Sequence, residues 1–217
     1  STKTGFSFGT TFEQYDKFYI AGDISTYYES LSTNSSASDS LKKQKGNYLD
    51  TIFGYSLISD TRNQIYQSTE GSRISFSQAI PIYSKNPSIT HGIDSISYYA
   101  LNEKLIASAR IFSRAINPIG SKDVKVSDRI FIPAKFLRGF EPGKVGPKDG
   151  ADFVGGNYAA ALSLGLAFSD VFTQLQNTDF SLFFDAANLW HVDYDNSLPE
   201  SDSLRSALGV GVNWYSP

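Results

Sequence analysis

The chain has 217 residues and a formal net charge of −3, a length that suits one domain and a balance that argues against nucleic acid or anionic headgroups as the main partner. It has no cysteine, which removes disulfides, thiolate zinc sites and thiol nucleophiles. Methionine is absent even at position 1, so a processed or excised piece is expected; no signal peptide and no apolar run of about eighteen residues occurs, which excludes helical membrane spans.

Aromatics make up 14% of the chain, with 16 Phe and 13 Tyr, while mean hydropathy is slightly negative. That pairing suits strands that are oily on one face. In chain order, apolar residues recur at period two near 4–13 (Phe6, Phe8, Phe12), 17–29 (Phe18, Ile20, Ile24, Tyr28), 47–58 (Leu49, Phe53, Tyr55, Leu57) and 71–80 (Ile74, Phe76, Ile80). A weakly alternating segment covers 89–100. In 104–115, Leu105, Ala107, Ala109 and Ile111 oppose Ser108, Arg110 and Arg114. Three stronger segments follow. They place Tyr158, Leu162, Leu164 and Phe168 against Asn157, Ser163 and Gly165; Phe180, Leu182 and Phe184 against Asp179, Ser181 and Asp185; and Leu208, Val210, Val212 and Trp214 against Arg205, Gly209, Gly211 and Asn213. Nine strands are expected.

The connections differ in size. "EQYDK" and "ALNE" are short, 30–46 is long and polar, and "SASDSLKKQ" within it predicts a helical turn or two, capped by Ser36 or Ser38. The segment 129–157, "RIFIPAKFLRGFEPGKVGPKDGADFVGGN", is much longer than strand connections usually are.

One-sided oily strands fit either a soluble sandwich, oily face inward, or a membrane barrel, oily face outward. Predicted strands of about ten to twelve residues match the roughly nine to eleven that cross a bilayer. Aromatics near strand ends (Phe18, Tyr28, Tyr48, Tyr98, Tyr99, Tyr158, Phe168, Trp190, Trp214, Tyr215) fit an interfacial girdle. The polar faces hold Arg110, Arg114, Asp179, Asp185, Arg205 and Asn213, costly to bury dry without partners. An all-β transmembrane antiparallel barrel is the favoured fold. Bacterial barrels have an even number of strands, and "WYSP" stops where a turn should start, so the nine form an incomplete portion.

Leu137 and Phe140 gain nothing from a loop in water, whereas a loop folded into the lumen buries them against the wall. Arg138 then needs a carboxylate, ideally a two-pronged one; Asp185, on the polar face of the second following strand, is the natural partner. Gly139 permits the tight backbone. On the residues alone, a surface arginine in an ordinary loop stays open.

In order along the chain, "DTRNQIYQSTEGSRIS", "LRGFEPGKVGPKDGADFVGGN", "FSLFFDAANLW" and "RSALGVGVNWYSP" resemble the BamA family of outer-membrane β-barrel assembly factors, over about Gly5 to Pro217. The ordered set is far more specific than a lone Arg-Gly-Phe. The resemblance implies a sixteen-strand barrel whose sixth extracellular loop folds into the lumen, anchored by Arg138, Gly139, Phe140 and Asp185, with Gly155 and Gly156 as loop glycines. The strands here correspond to the sixth to fourteenth; residues 1–217 are then a partial barrel domain without POTRA domains. Family members often carry a glutamate where this chain has Gly165, which leaves Arg138 with Asp185 alone. The implied function is folding and inserting client β-barrel proteins, without enzyme activity or cofactors, in the outer membrane of a Gram-negative bacterium. The implied partners are the lipid bilayer, unfolded clients and accessory lipoproteins reached through the POTRA domains, with no nucleic acid.

Other constellations are bland. His91 and His191 are far apart in sequence, "DYDNS" (193–197) lacks the glycine and glutamate of a calcium loop, and "LGVGV" precedes no helix. TamA-type and two-partner secretion barrels share the arginine-glycine-aromatic loop. A passive porin explains the alternation but not the loop, and a soluble carbohydrate-binding protein explains only the aromatics.

Overall fold

The computed structural model describes residues 1–168, 178–195, 197–199 and 203–214, with Asn213 and Trp214 described by backbone alone. The expected features at 169–177, the faces of Asn213 and Trp214, and the Tyr215–Pro217 end lie outside the described residues.

The period-two segments form strands β1 (Thr2–Tyr15), β2 (Phe18–Leu31), β3 (Gly46–Asp60), β4 (Gly71–Tyr83), β5 (Ser88–Asn102) and β6 (Leu105–Pro118). After the long loop and its small hairpin, β7 (Lys148–Asp149) with β8 (Asp152–Phe153), come β9 (Tyr158–Phe168), β10 (Thr178–Trp190) and β11 (Arg205–Trp214). The nine long strands make one sheet in the order β1-β2-β3-β4-β5-β6-β9-β10-β11, each pair antiparallel. Among the described residues β1 and β11 each have one neighbour, so the sheet is open, as an incomplete barrel is. Most strands run 13–15 residues, longer than the alternation alone suggested. Pro81, which lacks a ladder donor, sits opposite the register shift between Thr51 and Ile52, where the ladder is already interrupted.

Direct cross-strand partners share a face, so the register fixes both surfaces. One face is bare and apolar: Phe8, Ile24, Phe53, Ile74, Ile93, Ile111, Leu162, Leu164, Leu182, Phe184 and Leu208 are all exposed. The other carries the long loop. β5 alternates poorly because its bare face holds Ser95 and Ser97 beside Ile93 and Tyr99, while Ile96 points to the loop face. Phe18, Tyr28, Tyr99, Tyr158, Phe168 and Trp190 fall on the bare face, as a girdle requires. Tyr48 and Tyr98 do not. Tyr48 adjoins the bare-face Leu49 and donates its hydroxyl to Gln44 O at 2.6 Å; Tyr98 pairs with Ser108 and lines the lumen cavity. Proximity to a strand end does not determine face; parity does.

Turns 16–17, 61–70 and 103–104 lie at one end. The first of the large connections at the other end, 32–45, carries the short helix α1 (Asp39–Lys43), N-capped by Ser38, whose hydroxyl accepts from Leu41 N. Turn 61–70 is tightly tied: Arg62 grips Asp60 with two bonds of 2.7 and 2.6 Å, and Asn63 Oδ1 accepts from Thr69 N. Gly71 at its close has φ +89°, and a Cβ there would lie 2.3 Å from Thr61 O.

Candidate functional site

The long loop packs on the lumen face. Ile130, Ile132, Phe136, Leu137 and Val145 bury against Phe112, Ile116, Ala159, Ala161, Ala187 and Leu189 of β6, β9 and β10, with Phe140 partly buried beside them. Three alanines in the wall leave the room the loop fills. The wall that β6, β9 and β10 offer the loop is thus apolar, and the alternation there reads small against large rather than polar against apolar.

A 3₁₀ turn at Ala134–Phe136 sets Phe136 5.1 Å from the Phe112 ring and delivers Leu137 to the wall. Arg138 follows at the middle of β10. Its Nε donates to Asp185 Oδ2 at 2.8 Å, Nη2 donates to Asp185 Oδ1 at 2.7 Å, and its backbone N–H donates to Oδ2 at 3.0 Å. The Asp185 side chain is fully buried, while that of Arg138 is 39% exposed toward the cavity beneath. This is a two-pronged, charge-assisted contact with a third, backbone donor. The guanidinium also lies over the Phe183 ring, 3.5 Å from its centroid. Phe183 can lie flat because its neighbour is Gly209, where a Cβ would come within 2.5 Å of the ring.

Gly139 turns the chain back at φ +83°. Gly155 has φ +72°, and a Cβ there would lie 2.8 Å from Ile130 O; at Gly156 it would lie 2.7 Å from Trp190 O. Both seat the returning chain, where Ile130 and Gly156 exchange backbone bonds of 2.9 and 3.0 Å. At Gly165 a Cβ would meet Ser108 Oγ at 2.7 Å, so small partners already fill this row. Arg138 is not left with Asp185 alone. Its Nη2 also donates to Ser163 Oγ at 3.0 Å, from the residue directly opposite Asp185. The pattern had placed Ser163 on the lumen face, but only the loop's path made it a partner.

Two further loop cations escaped the sequence reading. Lys125 Nζ meets Asp50 Oδ2 at 2.6 Å, Asp128 Oδ2 at 3.1 Å and Glu29 Oε2 at 3.4 Å. Arg129 Nη2 donates to Asp193 Oδ1 at 2.5 Å and to Val124 O at 3.1 Å, beneath the Tyr194 ring. Asp193, in the segment that lacks the features of a calcium loop, instead caps a buried arginine and also accepts from Val124 N. The available signal was Glu29 and Asp50 at lumen-facing parity near their strand ends. Burial pushes the Tyr194 hydroxyl up, and its bond to Asp149 adds to that. The connections 32–45 and 191–199 join the long loop in a second apolar cluster of Ala37, Leu41, Val154 and Val192, with Val126, Tyr194 and Leu198 against it.

This cap covers one end of the lumen. Below it a cavity of about 1210 Å³ is lined by Arg138, Arg110, Asp179, Ser163, Tyr98 and Tyr66. On the bare face, Tyr55 donates to Gln78 Oε1 at 2.9 Å, and Gln78 Nε2 lies 2.8 Å from His91 Nδ1.

The fold is similar to the crystal structure of BamA from Haemophilus ducreyi lacking POTRA domains 1-3, with a TM-score of 0.82 at 21% identity, over 99% of this chain and 48% of that one. A SAM50-like protein of Schizosaccharomyces pombe is 28% identical over 198 residues, 83% of this chain and 41% of that protein. The sorting and assembly machinery component 50 homologs of Bos taurus and Homo sapiens are each 27% identical over 194 residues, 81% of this chain and 40% of theirs. The chain therefore spans about two fifths of the length of these curated relatives. The Omp85 superfamily domain matches it over residues 1–217, and with that match from end to end the chain belongs to the Omp85 superfamily.

Proposed function

We propose that this chain is part of an outer-membrane β-barrel assembly factor that folds client β-barrel proteins and inserts them into that membrane. The observation that carries the reading is the docked loop: a plug held by packing and by the Arg138–Asp185 pair closes one end of the lumen where a conduit would need open water. A passive porin needs that path free, and a soluble binding protein would not leave a continuous apolar face bare. The work is mechanical and needs no covalent chemistry. Clients would be templated by backbone pairing at strand edges, with the plugged wall holding the barrel's shape.

In this reading residues 1–217 are one portion of the barrel, and POTRA domains with their accessory lipoproteins belong to other parts of the protein and its complex. Arg138, Gly139, Phe140 and Asp185 anchor the loop, with Gly155 and Gly156 shaping its return. A Gram-negative envelope fits the BamA-like fold. The relatives from fission yeast, cattle and human favour a second site, an organelle outer membrane in a eukaryote.

Depletion of the full-length protein in its source organism tests the proposal. Folded, heat-modifiable client barrels should fall while helical membrane proteins hold constant. Unchanged client levels after depletion would sink it, and cell fractionation decides between the two membranes.

A further inference from the structure

We propose that Lys125 is a second positioning residue of the long loop, fastening its entry to the β2–β3 wall while Arg138 fastens its tip to β10. Lys125 lies seven positions past the end of β6. In that distance the chain crosses the lumen face to β3, three places away in the sheet order. By residue 138 it has reached β10, five places from β3. At about 4.8 Å between strands, the two attachments are roughly 24 Å apart along the sheet.

The Lys125 seat is built for a buried cation. The Lys125 side chain is 1% exposed, and those of Glu29 and Asp50 are 0% and 2% exposed. Ser127 Oγ donates to Glu29 Oε2 at 3.0 Å, and Ser84 Oγ donates to Asp50 Oδ1 at 2.5 Å. The ammonium lies 4.9 Å from the centroid of the Tyr48 ring and 5.9 Å from that of Tyr27. Lys3 of β1 closes the outer side, 3.1 Å from Asp128 and 3.7 Å from Glu29. Three carboxylates thus converge on Lys125. Its removal leaves Asp50 buried with no cation and Glu29 with only the partly exposed Lys3, a condition that strongly disfavours the docked state. Tied only at Arg138, the loop could pivot about its tip. Tied at both places, it sets the separation between the β2–β3 wall and β10, and with it the curvature of the open sheet.

The inference concerns geometry, and only its activity arm rests on the assembly reading. The test uses the full-length protein in liposomes, with spin labels at exposed sites. Ser35 with Ser121 reports the Lys125 end, and Lys144 with Ser197 reports the tip side. Lys125→Met should lose the narrow Ser35–Ser121 distance peak while the Lys144–Ser197 distribution stays narrow. The exchanged pair Lys125→Glu with Glu29→Lys should restore the narrow peak, and client insertion should fall and recover with it. An unchanged Ser35–Ser121 distribution in Lys125→Met overturns the proposal. If Lys125→Met fails to fold by heat-modifiability, the exchanged pair decides: recovery of the narrow peak supports the latch, and a folded protein without it overturns the latch. Distances that respond while insertion never does would count against the assembly function instead.

Discussion

Arg138→Ala removes both side-chain bonds to Asp185 and the bond to Ser163, leaving a fully buried carboxylate with the backbone N–H and the Ser163 hydroxyl but no cation. Stranding one member of a buried ion pair costs about 3–5 kcal/mol. The Arg138 side chain is 39% exposed to the cavity, so water screens part of that, and about 2–3 kcal/mol is the expected loss of loop docking. Asp185→Ala leaves an arginine that can turn into the cavity and hydrate, so it should cost less, about 1–2 kcal/mol. Arg138→Lys should rescue poorly, since an ammonium cannot reproduce the fork or the stack on Phe183. The double mutant should be little worse than Arg138→Ala, with a coupling of about 1–2 kcal/mol in a double-mutant cycle. The assay is protease accessibility of the loop in the folded full-length protein as denaturant is raised. Losses that add without coupling would show that the two residues act independently and would refute the docking argument.

Gly209→Ala should tilt Phe183 off its seat, because the added Cβ would lie 2.5 Å from a ring held under Arg138; a cost of about 1–3 kcal/mol is expected for such overpacking, read as loosened loop protection, and unchanged protection would sink it. Leu164→Arg places a charge on the bare face at the centre of β9 and should destabilise the barrel by roughly 2–4 kcal/mol if mid-membrane. Spin labels should report Leu164 in lipid and Ser181, which lines the lumen cavity, in water, and the reverse would invert the assignment of faces. Burial tends to lower the affinity of Lys125 for its proton, but Asp128 and Asp50 more than offset this and hold it above its ordinary 10.5. A raised folded value means the contribution is complete below 10.5 and fades only as pH rises through the higher folded value. The Ser35–Ser121 distance should therefore hold from pH 7 to about 10; a loss between 7 and 9 would show that another group controls the latch.

Alternation at period two is a property of the strand backbone itself, so nine strands, their faces and the exposed apolar surface followed from residues a few positions apart. Ser38 could be named as a cap, and Asp185 as the partner of Arg138, for the same reason: the cap is local and the carboxylate sits at a fixed parity. The partners of Lys125, Arg129 and Ser163 had no such rule. They depend on where an irregular loop comes to rest, and that is decided by close packing against Ala159, Ala161 and Ala187 and by the curvature that brings β3 within its reach. Tyr48 and Tyr98 illustrate the boundary most plainly. The parity of Tyr48 against Leu49, Phe53 and Leu57 already set its face in the chain, whereas β5 alternates too weakly to place Tyr98, and only its pairing with Ser108 put that ring in the lumen.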